Sequence, residues 1–133
     1  MKDTRLTKES ELVVQVAENY LKAFKEVKPE LIRTHFIPQF TKVGYFYDYE
    51  NSKWLDLSIH SFQQVVDWAV TYNVERIMPD SEAITTLLHM QDKIAVVRVE
   101  AEWAPGKWGN DYVLLCKQED RWVIASIYWQ SIV

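Results

Sequence analysis

Three histidines are the first residues to test for chemistry. His35 falls near a helix end, His60 just before a helix and His89 at a strand end, so no pair has the spacing of a metal site. No metal and no cofactor is expected. Among the carboxylates, Glu100 and Glu102 alternate with Arg98 on the charged side of one strand, which makes an exposed or subunit-facing ladder and not a catalytic acid pair. Asp48 shares parity with Gly44 and Phe46, and Asp111 opens a later strand. A general base must come within about 3 Å of the proton it takes, or one water away, and burial should bring its pKa toward neutrality. His60, Asp48 and Asp111 are the candidates for that role. Cys116, the single cysteine, sits among Leu114, Leu115 and Lys117 and reads as a small buried hydrophobe.

The elements that must position these groups follow from periodicity. From Ile94 to Trp103 the apolar Ala95, Val97, Val99, Ala101 and Trp103 alternate with charged residues, as on a sheet with one dry face. Residues 104–110 break the pattern, Asp111 to Lys117 forms the next strand, Gln118 to Arg121 turns the chain, and Trp122 to Trp129 returns. Earlier, residues 1–8 read as a loosely held arm, with Thr7 and Ser10 offering caps for a helix that runs to about Val27. Its stripe is Val13, Val16, Ala17, Tyr20, Phe24 and Val27. Pro29 starts a second helix that Pro38 ends near Ile37. A strand from Val43, a turn at 50–53 and a short strand over 54–57 precede a third helix from about Phe62 to Tyr72, for which Ser61 and Gln64 have the spacing of a capping box. A strand from Ala83 to Met90 completes an α+β layout.

Composition bounds the function. The 133 residues suit one domain able to bury a core without staples. Six Trp and seven Tyr require large apolar volumes to fill or to line. With 19 acidic against 15 basic residues there is no basic surplus for phosphate contacts, so nucleic acid is a poor partner. No apolar run approaches the roughly 20 residues of a membrane span, and no secretory signal is visible at the start. A cytoplasmic protein is expected.

In this order the elements resemble the nuclear-transport-factor-2-like superfamily of cone-shaped, cystatin-like α+β domains. The resemblance rests on Tyr20-Leu21-Lys22-Ala23-Phe24, Phe36-Ile37-Pro38, Val43-Gly44-Tyr45, Arg98-Val99-Glu100 and the segment Asp111 to Lys117 leading to Arg121-Trp122-Val123-Ile124. It is nearest to the bacterial lumazine-binding-like group. It implies three helices of the first half packed on a strongly curved mixed sheet that encloses a pocket. More distantly the chain is similar to ketosteroid isomerases and related dehydratases and cyclases, through Tyr20, Arg98-Val99-Glu100 and Tyr128-Trp129. That resemblance puts the catalytic base of the isomerases at Gly44 and their protonated oxyanion acid at Tyr112, so the base is missing.

The pocket expected from parity combines Tyr20 and Phe24 from the helical side, Gly44 and Phe46 from the first strand, and Val97, Val99 and Ala101 as floor. Tyr112, Leu114, Cys116, Ala125, Ile127 and Trp129 are expected to point inward with them. A small apolar or aromatic ligand suits such a lining. The outer face, with Trp122, Ile124 and Tyr128, is expected to form a homodimer. An isomerase, dehydratase or cyclase-like enzyme and a structural or regulatory dimer module are the alternatives to a binding domain.

Overall fold

The computed structural model describes residues 4–133, with side chains from residue 8 onward. Helix α1 spans Thr4–Lys25 and buries Val13, Ala17, Tyr20, Ala23 and Phe24 along the expected stripe. It starts earlier than expected, so Thr7 and Ser10 lie within it rather than at its cap, and the expected arm is helical from Thr4; residues 1–3 lie outside the described residues. Its end is set by backbone geometry. The Lys28 N–H donates to the Ala23 carbonyl at 2.8 Å and the Val27 N–H to that of Phe24 at 3.3 Å, which forces Val27 to φ 54°. A β-branched residue is a costly occupant of that left-handed position.

Helix α2, Glu30–His35, follows Pro29 and buries Ile32. It stops two residues short of the expected end, because Phe36 already belongs to strand β1, Phe36–Tyr45. Pro38 is tolerated inside that strand where the pairing shifts register between Phe36 and Thr41, so its missing N–H interrupts no ladder. A two-stranded ribbon follows, β2 (Tyr47–Asp48) with β3 (Lys53–Trp54), then β4 (Ser58–Ser61) and α3 (Phe62–Thr71). The capping box is formed: the Gln64 N–H donates to Ser61 Oγ at 3.3 Å and the Ser61 N–H to Gln64 Oε1 at 2.8 Å.

The last four strands are β5 (Ile84–Met90), β6 (Ile94–Ala104), β7 (Lys107–Gln118) and β8 (Arg121–Ser131). The break expected over 104–110 is in fact a tight turn through Pro105 and Gly106, the latter at φ 72°. The six long strands make one sheet in the order β4-β1-β8-β7-β6-β5, antiparallel except for the parallel pair of β1 with β8. Helix α1 packs across β5 to β8, and α3 packs on β1 and β4. Among the described residues no helix is long and apolar enough to cross a membrane.

Which side chains enter the core differs from the expectation at two strands. On β7 the buried set is Gly109, Asp111, Val113 and Leu115, so Tyr112, Leu114 and Cys116 lie on the outer face. On β8 the register slips against β7 between Leu114 and Leu115, and Ala125 is the extra residue. Such a bulge inverts the alternation along its strand. Trp122 and Ile124 before it, and Ile127 and Trp129 after it, therefore all face inward. Trp122 and Ile124 consequently cannot form an outer dimer surface; the Trp122 indole N–H instead donates to Glu9 Oε2 of α1 at 2.6 Å. Tyr128 alone of the three is outside.

The bulge makes a measurable difference between neighbours on one strand. Trp122 is 4 % exposed and Tyr128 53 %. Trp122→Ala should lower unfolding free energy by roughly 3–5 kcal/mol, and Tyr128→Ala by less than about 1 kcal/mol in the monomer. Denaturant titration of both variants checks this, and equal losses would place both side chains on the same face.

Candidate functional site

Three neighbouring strands converge on one polar patch within the core. The inward side of β1 carries Phe40, Lys42 and Gly44, and Gly44 pairs with Trp129 of β8, which in turn pairs with Asp111 of β7. Lys42 and Asp111 are two of the few charged or polar residues buried among the described residues, at 7 % and 1 % exposure. Above them opens a cavity of about 620 Å³. Its walls are the rings of Phe24, Trp68, Tyr72, Trp103 and Trp129, and its rim is the β2–β3 ribbon, with Phe46, Tyr47, Asp48 and Tyr49, facing Lys107 and Trp108 of β7. The ribbon is tied down by the Tyr47 N–H to Ser131 Oγ at 3.0 Å and the Tyr49 hydroxyl to the Ile132 carbonyl at 3.1 Å.

Lys42 Nζ donates to the Tyr20 hydroxyl at 2.6 Å and lies 5.2 Å from the ring centres of Tyr20, Trp103 and Trp129 and 5.9 Å from those of Phe24 and Trp68. A cation is attracted to each of these faces. Burial nevertheless lowers the Lys42 pKa, against the opposing pull of Asp111. Burial raises the Asp111 carboxyl to about 6, against the lowering effects of Lys42 and of a hydrogen bond from the Trp103 indole. Tyr20 is pushed well above the usual phenol range by burial, then by Asp111 and Tyr72, so it stays a neutral phenol. Two buried atoms facing this region have no hydrogen-bond partner among the described residues: the Trp129 Nε1 donor and the Asp111 Oδ2 acceptor.

Gly44 points inward as expected, and its lack of a side chain has a local cause. A Cβ there would collide with the Trp129 carbonyl oxygen and indole. The place where the isomerase resemblance puts a base is thus occupied by an indole. The resemblance also put the oxyanion acid at Tyr112, but Tyr112 is on the outer face beside Arg98 and Tyr128, and the inward neighbour is Asp111. The position implied by the resemblance is thus one residue out of register, since the inward alternation of β7 runs through Gly109, Asp111, Val113 and Leu115.

Of the three candidate bases, Asp111 alone lies in the cavity floor. Asp48 lines the exposed rim and accepts from the Asn51 side chain at 2.7 Å and from the Glu50 and Asn51 N–H groups, which hold its pKa below the usual range and make it a turn anchor. His60 pairs across from Lys42 but stacks on Trp68 at 4.2 Å, beside Ser58 Oγ at 3.2 Å, and is not part of the lining; burial and then Lys42 lower its pKa. Phe24, Phe46 and Trp129 line the cavity. Val97, Val99, Ala101 and Ile127 lie in the packed core beneath it, Tyr20 sits under Lys42, and Leu114 and Cys116 lie on the opposite face of the sheet. Lys42, Trp68, Tyr72 and Trp103 were not foreseen as lining. Lys42 had a visible signal, since the alternation through Gly44 continues back to it and to Phe40.

The family described as "Putative lumazine-binding" matches residues 8–130. Solved structures share the fold. An NTF2-like protein of unknown function from Silicibacter pomeroyi superposes with a TM-score of 0.73 at 18% identity, covering 96% of this chain and 98% of that one. One from Shewanella baltica gives 0.72 at 21%, covering 98% and 99%. A ketosteroid isomerase-like protein from Erwinia carotovora gives 0.59 at 14%, covering 92% and 95%. The fold is thus that of the nuclear-transport-factor-2-like domains. No curated protein matches the chain.

The raised Asp111 pKa links the site to stability. A carboxyl lifted from 3.8 to about 6 holds its proton more tightly folded than unfolded, so its contribution is full below about pH 4 and is lost as pH rises through about 6. The size is on the order of 3 kcal/mol. Lys42, with its pKa lowered, acts oppositely, and its stabilisation grows as pH rises from its folded value toward the unfolded 10.5. Asp111→Asn should therefore gain stability relative to the unsubstituted protein between pH 4 and pH 7, as read by denaturant unfolding. A difference independent of pH would show that Asp111 titrates normally.

Proposed function

The chain belongs to the putative lumazine-binding family, and from that membership we propose that it is a small-molecule-binding domain whose cavity takes a flat ring system with one polar edge. The observation that carries this is the pairing of ring-lined walls with two unpartnered polar atoms, Trp129 Nε1 and Asp111 Oδ2. A buried donor and a buried acceptor each left unpaired cost about 1–3 kcal/mol, which a ligand edge carrying both an acceptor and a donor would recover. The volume lies within the range of small-molecule sites. An acid-base enzyme keeps one observation in its favour, the Asp111 carboxyl at about 6, but the second carboxylate position of the isomerase resemblance is Gly44, packed against Trp129.

Quenching of tryptophan fluorescence against flavin, pterin, steroid and polyketide compounds tests the proposal. A flat aromatic member should bind saturably, and Trp129→Phe, which keeps a ring and removes the N–H, should weaken it by about tenfold. If no compound gives a saturable signal, the floor is simply a packed core and a structural or regulatory dimer module becomes the better reading.

We also propose that two copies pair through the outer face of β6, β7 and β8. Tyr128 lies opposite Tyr112 there, Leu114 is beside them, and Asn110 Oδ1 is buried without a partner on the same face. A two-fold axis would set this patch against itself, which is the commonest symmetry of paired chains. Sedimentation at micromolar concentration should give a dimer, and Tyr128→Glu a monomer; a monomeric unsubstituted protein rejects the interface.

A further inference from the structure

Lys42 is the lysine that the fold has taken out of water. Its amine ends in the cavity floor, held from α1 by the Tyr20 hydroxyl at 2.6 Å, screened by five rings, and facing Asp111 from β7 and His60 from β4. A purely structural lysine would have its charge met by a carboxylate, yet the Asp111 Oδ2 is unpartnered and no ion pair of Lys42 is found among the described residues. We propose that Lys42 captures a carbonyl ligand covalently, forming an imine with an aldehyde or ketone bound in the aromatic cavity. This rests on the binding function proposed above and adds the ligand's reactive group.

The step balances within the site. The neutral amine of Lys42 attacks the carbonyl carbon, forming an N–C bond while the C=O π pair moves to oxygen. One proton passes from nitrogen to that oxygen, giving a carbinolamine. The nitrogen lone pair then expels the hydroxyl group, which takes a proton from the Asp111 carboxylic acid and leaves as water. The product is a protonated imine on Lys42 and a carboxylate on Asp111. The group that carries positive charge stays on the same nitrogen, so the rings that surround an ammonium equally surround the iminium. Lowering of the amine pKa by burial makes the nucleophile accessible, and a carboxyl near 6 is suited to donate and recover the proton.

The test uses the full chain with 6-methoxy-2-naphthaldehyde as probe and sodium cyanoborohydride as the trap, read by intact mass and peptide mapping. The dominant adduct should lie on Lys42 and not on the exposed Lys22, Lys28 or Lys93. The corresponding alcohol, which keeps the ring system but cannot form an imine, should protect Lys42. Asp111→Asn, compared with the unsubstituted protein at saturating aldehyde so that a change in affinity does not enter, should slow trapping by roughly 10²-fold, a result that does not require a Lys42 variant to fold. Saturable fluorescence quenching by the alcohol with adducts confined to surface amines overturns the imine and leaves the binding function standing. Absence of both quenching and Lys42 labelling overturns the binding function and the imine with it.

Discussion

Keeping one lysine nitrogen in a dry interior is the constraint around which this molecule is arranged. An isolated buried ammonium is among the most expensive groups a fold can contain. Here the cost is offset in part by many weak terms instead of one strong ion pair: a short hydrogen bond to Tyr20, five ring faces and the through-space attraction of Asp111. Each term fixes the position of a different element. Tyr20 sets the rotation of α1, Trp68 that of α3, Trp103 and Asp111 the register of β6 and β7, and Trp129 that of β8. The rings also contact one another, Tyr20 with Trp103 at 5.7 Å and Phe24 with Trp103 at 5.3 Å, so the walls of the cage pack on each other.

That cage depends on two backbone devices. Gly44 lets β8 bring the Trp129 indole against β1, where any side chain would strike it. The bulge at Ala125 lets a single strand send Trp122 and Ile124 to the helix layer and then Trp129 into the cage, although the two sets have opposite parity. Together they allow the same strand both to seal the core against α1 and to line the cavity. The parallel pairing of β1 with β8 brings Lys42 and Trp129 together from opposite ends of the chain.

The electrostatics of the floor follow from the same arrangement. Burial drives the lysine pKa down and the carboxyl pKa up, and their mutual attraction opposes both shifts without cancelling them. Each shift favours the neutral form of its group. Tyr20, held as a neutral phenol, adds a hydroxyl that does not compete for charge. A cavity with apolar walls and such a floor separates shape recognition, which the rings supply, from polar recognition, which a few buried atoms supply.

Periodicity alone was enough to identify the helix stripe from Val13 to Phe24, the capping box of Ser61 and Gln64, the strands β5 to β8 and the α+β layout, because these are set by neighbours in sequence and by alternation between water and core. The Arg98–Glu100 ladder, an ion pair at 3.0 Å, was legible for the same reason. The face of β7 was not, because the polar Asp111 and the ring of Tyr112 are sorted against ordinary preference, and only the Trp103 hydrogen bond and the through-space attraction of Lys42, both from other strands, favour the carboxyl as the inward residue. The inward turn of Trp122 and Ile124 was equally hidden, since one extra residue at Ala125 reverses the alternation and local sequence does not reveal a bulge. Lys42 itself could be placed on a strand but not in a cage, because its surroundings come from five rings on four separate elements. What a residue prefers was thus written in the chain, while which groups must share a dry interior was decided only when distant strands met.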